Sequence, residues 1–278
     1  MIKETKVKIN PNELCPCNSG EIYNKCCIKD EFYNLGQNYK GDNIIFNKSK
    51  VHRIYDDIAN IGINNIFSLK DDEFISISKG EELLKKVYEK VDEGISEYEK
   101  YSPCKKGCGK CCSLYLECTA IEAEIIRRYL VKNKTKEELD VLQNKIRENL
   151  KVLPTISNPN EVDKEAKDKM ILDYLHKNIS CIFLNEEGEC SLYSIRPLAC
   201  RSFIVFSDSE KCKSKEEIVK PNLPPAYIGK LVVDGIASKV GRYKSITFNG
   251  DKGLKEPLRR PILQWFKDGF HDINRNLE

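Results

Sequence analysis

Val51, Ile54, Ile58 and Ile61 stand three or four residues apart, the period that lines side chains along one face of a helix. A second stripe, Leu83, Leu84, Val87, Val91, Ile95 and Tyr98, follows Ser78-x-x-Glu81. A serine or threonine answered three residues later by glutamate is the signature of a capping box, so a helix is expected to open there. Thr119-x-x-Glu122 opens a third helix with Ile121, Ile125, Ile126, Tyr129 and Leu130 on its apolar face. Thr135-x-x-Glu138 opens a fourth, with Leu139, Leu142, Ile146 and Leu150, which Pro154 stops. A fifth begins after Pro159, carries Val162, Ala166, Met170, Tyr174 and Leu175, and ends at His176. Two more are expected near the end, one after Pro224 and Pro225 and one through Pro261 to Phe266.

Elsewhere the helical period breaks. Residues 28–48 read as an irregular connection. From Ile179 two short β-prone runs flank Gly188, which predicts a hairpin bringing Cys181 and Cys190 near each other across its strands. The expected architecture is therefore mainly α with a small β-hairpin. It divides into a thiol-rich knuckle (residues 1–30), a helical connector (31–100) and a cysteine-cluster domain with C-terminal helices (101–278).

Composition changes this picture in one respect. A chain of 278 residues can bury a core of ordinary size, so its 13 cysteines are not needed as a disulfide framework. The start of the chain shows no apolar leader and no run approaches the length of a membrane span. A cytoplasmic protein with reduced thiols is expected, and reduced thiols in clusters are metal ligands. The formal net charge of +3 gives no reason to invoke nucleic acid.

The thiols fall into two groups. Cys15 and Cys17 are separated by eight residues from Cys26 and Cys27, two close pairs of the kind that a tetrahedral Zn²⁺ takes from a segment too short to have a core. Asn18, Ser19 and Gly20 supply the turn between them, Asn and Gly because they tolerate a positive φ. The second group starts with Cys104, Cys108, Cys111 and Cys112, four thiols within nine residues. Gly107 and Gly109 flank Cys108 and allow a tight curl that points amide groups at thiolate sulfur. Downstream stand Cys181, Cys190, Cys200 after the Arg196–Pro197 turn, and Cys212 in a polar loop.

All eight are expected to converge, either on one compact cluster or on two neighbouring sites. Cys118 falls out of step and reads as a small buried hydrophobe. The three histidines, His52, His176 and His271, are not at metal-ligand spacing from one another, so the sites should be built from sulfur. Four thiolates suit Zn²⁺ and iron–sulfur clusters alike. Around such a negative site Lys105, Lys106, Lys110, Arg196 and Arg201 could act as counter-charges, or Arg196 and Arg201 could hold a carboxylate.

Two resemblances follow from these residues. Leu14 to Cys27 resembles the SEC-C motif, the zinc tail of the SecA translocase ATPase, with Cys-Pro-Cys-Asn-Ser-Gly where that motif usually has Cys-Pro-Cys-Gly-Ser-Gly. It implies Zn²⁺ held by Cys15, Cys17, Cys26 and Cys27, and docking to a protein partner. Residues 104 to about 212 resemble the YkgJ cysteine-cluster family, a zinc- or iron-chelating domain shared with the flagellin lysine N-methylase FliB. The match rests on the order Cys104, Cys108, Cys111–Cys112, Cys181, Cys190, Cys200, with Arg196-Pro197 and Arg201 around the last.

The FliB branch implies a protein lysine methylase using S-adenosylmethionine. The spacing of Cys104, Cys108 and Cys111 is also that of radical S-adenosylmethionine enzymes, but the alternating strands and helices of their barrel are missing from the sequence. The competing class is a non-enzymatic interaction module whose metals only hold the fold. A third, metal storage or delivery, would need exchangeable thiols near the surface.

Overall fold

The computed structural model describes residues 4–153, 164–212, 218–241, 247–249 and 255–273. Strands β1 (Thr5–Lys6), β2 (Phe32–Gln37) and β3 (Asn43–Asn47) form an antiparallel sheet in the order β1-β2-β3. Chain order continues with α1 (Lys48–Gly62), α2 (Ile77–Glu99), β4 (Glu117–Thr119), α3 (Ala120–Asn133), α4 (Lys136–Val152) and α5 (Lys164–Lys177). The remainder is α6 (Leu198–Arg201), α7 (Pro224–Lys239), β5 (Thr247–Asn249), β6 (Lys255–Pro257), β7 (Arg259–Pro261) and α8 (Ile262–Trp265). The fold is mostly helical with small antiparallel sheets, as the periodicity predicts.

Helix α2 is the central element because it buries a face along its whole length, Leu83, Leu84, Val87, Tyr88, Val91, Ile95 and Tyr98. Helices α1 and α7 pack on it and on each other. The α7 face at this junction, Ile228, Val232, Val233 and Ile236, is fully or almost fully out of water. Removing several such aliphatic side chains from solvent stabilises by roughly 1.5–3 kcal/mol each before entropy is counted, which is ample to fix three crossing helices. On the far side Trp265 is completely buried and donates its Nε1–H to the carbonyl of Cys118 at 3.1 Å, tying α8 to the strand ahead of α3.

Helix starts follow the sequence closely. The Thr119/Glu122 and Thr135/Glu138 capping boxes both form. Helix α2 differs: its cap is Ser76, whose side chain accepts from Lys79 N–H at 3.1 Å, not Ser78. Residues 28–48 are not an irregular connection, since β2 and β3 lie within them. The hairpin expected from Ile179 reduces to a turn. Its pairing is a single antiparallel bridge between Leu184 and Cys190, with Asn185 N–H bonding Glu189 O at 2.9 Å. The start of the fifth helical pattern, at Pro159 and Val162, lies outside the described residues.

Candidate metal centres

The N-terminal thiols meet across a compact turn. Cys15 is buried, its amide bonds Glu21 O at 2.8 Å and its carbonyl accepts from Asn18 N–H at 3.1 Å. Asn18 has φ 63° and Gly20 φ 83°, the left-handed conformations that this reversal requires. A single 3-10 turn, Tyr23–Lys25, then delivers Cys26 and Cys27. The sulfurs of Cys17 and Cys26 are 3.4 Å apart, those of Cys26 and Cys27 3.6 Å, and all four lie within 4.8 Å of one another. A Zn–S bond of about 2.3 Å sets tetrahedral sulfurs ~3.8 Å apart, so the four fit one Zn²⁺.

Burial alone would raise the Cys17 thiol. Hydrogen bonds from Ser19 and Cys15 outweigh it and hold the thiol at about 6, which gives the site one ready thiolate at neutral pH. Lys100 donates to Pro16 O at 3.1 Å and fastens this loop to the C-terminal end of α2. Replacing Cys27 by serine is expected to remove the one equivalent of metal that these four thiols can hold and to leave the metal content of the central cysteines unchanged. Metal analysis of the whole protein, before and after the substitution, checks both halves.

The central cysteines come from four places. Cys104 follows α2, with its amide on Ser102 Oγ at 3.0 Å, and that hydroxyl donates to Val205 O at 2.8 Å. Cys108 sits in a turn closed by its own amide on Lys105 O at 2.9 Å. Cys111 and Cys112 lie in the 3-10 turn Lys110–Ser113, and the Cys112 carbonyl accepts from Cys181 N–H at 2.9 Å. This last bond joins the first cysteine run to the turn that carries Cys181 and Cys190. The two loops meet glycine on glycine: a Cβ on Gly109 would stand 3.1 Å from Gly188 O, and Gly107 and Gly188 both have positive φ. Cys200 projects from α6 and Cys212 ends the 3-10 turn Ser209–Cys212. Lys110 holds that turn by donating to Ser209 Oγ at 2.9 Å and pairing with Glu210.

All eight of these thiols line one cavity of about 140 Å³. They are not drawn into a single tetrahedron. Among the described residues, the N-terminal four are the group whose ligand atoms all lie within 4.8 Å. A cavity that holds one water needs only ~10–15 Å³ by the same kind of measure, so this one is larger than a lone ion requires. Apolar residues also line it, among them Leu153 at the end of α4, Tyr174 of α5 and Leu263 of α8.

Burial pushes the Cys181 thiol up to about 12, Cys212 up to about 11, and Cys200 well above the ordinary range. Cys111 rises first through its hydrogen bond with Cys112 and then through burial. These thiols are protonated at neutral pH until a cation displaces their protons.

The two arginines play different parts. Arg196 lines the cavity, stacks on the Tyr193 ring at 4.1 Å, and electrostatically favours the thiolates of Cys111 and Cys190. Its buried Nε has no hydrogen-bond partner among the described residues. A cation with an unmet donor beside thiols fits an anionic metal–thiolate centre. Arg201 also borders the cavity, and its buried Nε likewise has no hydrogen-bond partner among the described residues. Its terminal nitrogens are engaged, one pairing with Asp92 and the other donating to Ser194 O at 2.9 Å, and the guanidinium lies over the Tyr88 ring at 4.6 Å. Lys105 and Lys106 are exposed, and Lys110 faces Glu210.

Cys118 is fully buried and is not part of the cavity wall. Sequence reasoning missed the apolar part of the lining, because Leu153, Tyr174 and Leu263 look like ordinary core positions in their helices. It also missed the two distant partners of Glu122, Tyr88 and Leu198, since nothing in a capping box reports contacts 34 and 76 residues away.

No curated protein and no solved structure matches the chain. Residues 103–220, which contain all eight central cysteines, match the model of the CxxCxxCC family, described as a putative zinc- or iron-chelating domain.

Proposed function

We propose that this is a metal-binding protein with two sulfur centres. Zn²⁺ is held by Cys15, Cys17, Cys26 and Cys27, and zinc or iron by Cys104, Cys108, Cys111, Cys112, Cys181, Cys190, Cys200 and Cys212. The observation that carries the second centre is that eight thiols spread over more than a hundred residues border one cavity. Thiolates select Zn²⁺ or iron–sulfur clusters over the hard cations, and the cavity has room for more than one ion. Anaerobic purification, metal analysis and a visible spectrum test this reading. Brown protein with acid-labile sulfide indicates iron–sulfur; colourless protein with several zinc equivalents indicates a zinc–thiolate centre; metal confined to the N-terminal equivalent refutes it.

Two finer readings rest on resemblance. The likeness of Leu14–Cys27 to the SEC-C motif supports docking of a protein partner on the knuckle, where Leu14 and Ile28 are exposed. The likeness to the cysteine-cluster family that FliB shares supports a lysine N-methylase, moving a methyl group from the sulfonium of S-adenosylmethionine to a lysine Nζ with release of one proton. The apolar residues that line the same cavity, Leu153, Tyr174 and Leu263, could take the non-polar part of a ligand, as this second reading requires. The reduced, metal-replete protein is then expected to bind S-adenosylmethionine in equilibrium dialysis and to leave methyl-lysine on bacterial proteins. No binding would leave the domain as an interaction module held by its metals.

A further inference from the structure

Glu122 is 1% exposed and accepts four hydrogen bonds from three elements. Its Oε2 takes Thr119 N–H at 2.8 Å and Thr119 Oγ1–H at 3.0 Å, the local half of the α3 cap. Its Oε1 takes the Tyr88 hydroxyl of α2 at 2.8 Å and, from across the chain, Leu198 N–H at 2.8 Å. Leu198 opens α6, whose preceding residue, Pro197, offers no side-chain cap. One turn of helix cannot satisfy its own first amide, so Glu122 caps it from another element.

Cys200 stands two residues beyond that amide. On its other side Arg201 is locked to Asp92 of α2 and lies over the same Tyr88 ring. The turn carrying Cys200 is thus tied at both ends to the two helices beneath it. Glu122 itself is absent from the cavity wall among the described residues, so it acts through Cys200 and not as a ligand.

We propose that Glu122 is the positioning residue of the central centre, setting the direction of the Cys200 thiol through the Leu198 amide. This rests on the reading of the central thiols as metal ligands. Glutamine at this place keeps one accepting oxygen but turns an NH₂ group toward donors, since both carboxylate oxygens are already accepting. At least one of the two tethers must break, and partners of this kind typically change metal affinity by about 10–100-fold.

Co²⁺ titration of the metal-free, reduced whole protein reads the effect through thiolate-to-metal charge-transfer absorption. Glu122→Gln is expected to weaken Co²⁺ binding at the central centre by about 10–100-fold. It should also lower the charge-transfer intensity per bound ion toward that of Cys200→Ser, with the N-terminal equivalent unchanged. Tyr88→Phe removes a single donor and should move the same band in the same direction by less.

If Glu122→Gln melts at a lower temperature but binds Co²⁺ with wild-type affinity and intensity, the residue is only structural and the proposal is overturned. Should Glu122→Gln fail to fold, Tyr88→Phe decides, and an unchanged band there overturns the proposal. If the wild-type protein takes up no Co²⁺ beyond the equivalent lost in Cys27→Ser, the metal reading itself has failed and the positioning role falls with it.

Discussion

Replacing Cys200 by serine is expected to strip metal from the central centre and to destabilise the domain by more than ~3 kcal/mol, whereas Cys118→Ala leaves metal content as it was. The two positions make a matched pair. Cys118 is fully buried and Cys200 partly so, both thiols are raised by burial, and the two lie within electrostatic reach of each other. The difference that matters here is that Cys200 borders the cavity and Cys118 does not. Losing a thiolate removes a ligand that closes contacts between distant segments, and metal binding free energy is folding free energy in such a domain. Losing the Cys118 sulfur removes a small apolar volume, while the carbonyl that Trp265 bonds stays in place. Its expected cost is about 1–2 kcal/mol. Metal analysis with thermal melts of both variants checks the contrast, and equal metal loss from the two would sink it.

How far the sequence speaks depends on the distance over which each signal acts. The capping boxes at Thr119 and Thr135 are local, and both form where the pattern predicts them. Helix α2 is capped two residues earlier than the Ser78-x-x-Glu81 pattern predicts, by Ser76 alone without the reciprocal glutamate of a box, and only the folded backbone chooses between the two serines. Strands β2 and β3 were invisible for a different reason. Phe32, Leu35, Ile44 and Phe46 are their buried apolar positions, too few in each strand to establish an alternation, and β2 owes its other edge to Thr5–Lys6 near the start of the chain. The β4–β7 pair joins Glu117–Thr119 to Arg259–Pro261, a contact that no local pattern encodes.

The convergence of the thiols was legible because reduced cysteines in such number and context have few other uses. What the spacing could not say was how they would be arranged. The N-terminal four close to within 4.8 Å, while the central eight border a wider chamber. That difference comes from the frame. A short knuckle is shaped by its own turns, whereas Cys104, Cys181, Cys200 and Cys212 are carried by elements whose positions the helical core fixes.

Removing metal with a chelator is expected to lower the melting temperature of the whole protein, and the gap between the two forms should widen as pH rises from about 8 to 10. In the metal-free fold, burial holds the thiols of Cys181 and Cys212 at about 12 and about 11, against an ordinary value of 9.0. A group whose pKa is raised on folding adds stability that is fully present below its unfolded pKa. That stability is lost as pH climbs from the unfolded toward the folded value, because the unfolded chain then releases protons that the folded one retains. The slope is up to ~1.4 kcal/mol per pH unit for each such thiol. Cys104, Cys111, Cys190 and Cys200 are raised as well and act in the same direction.

The metal-loaded form has already given up those protons to its ligand bonds, so its unfolding below the ordinary thiol value of 9.0 takes protons up, and its stability should rise with pH toward that value and change little above it. Toward acid the gap closes, since protons compete with metal for sulfur and the loaded form loses its advantage. Paired melting curves of chelated and metal-replete protein at pH 7, 8, 9 and 10 make the comparison. Parallel curves would mean that the central thiols are not the groups whose deprotonation the metal controls.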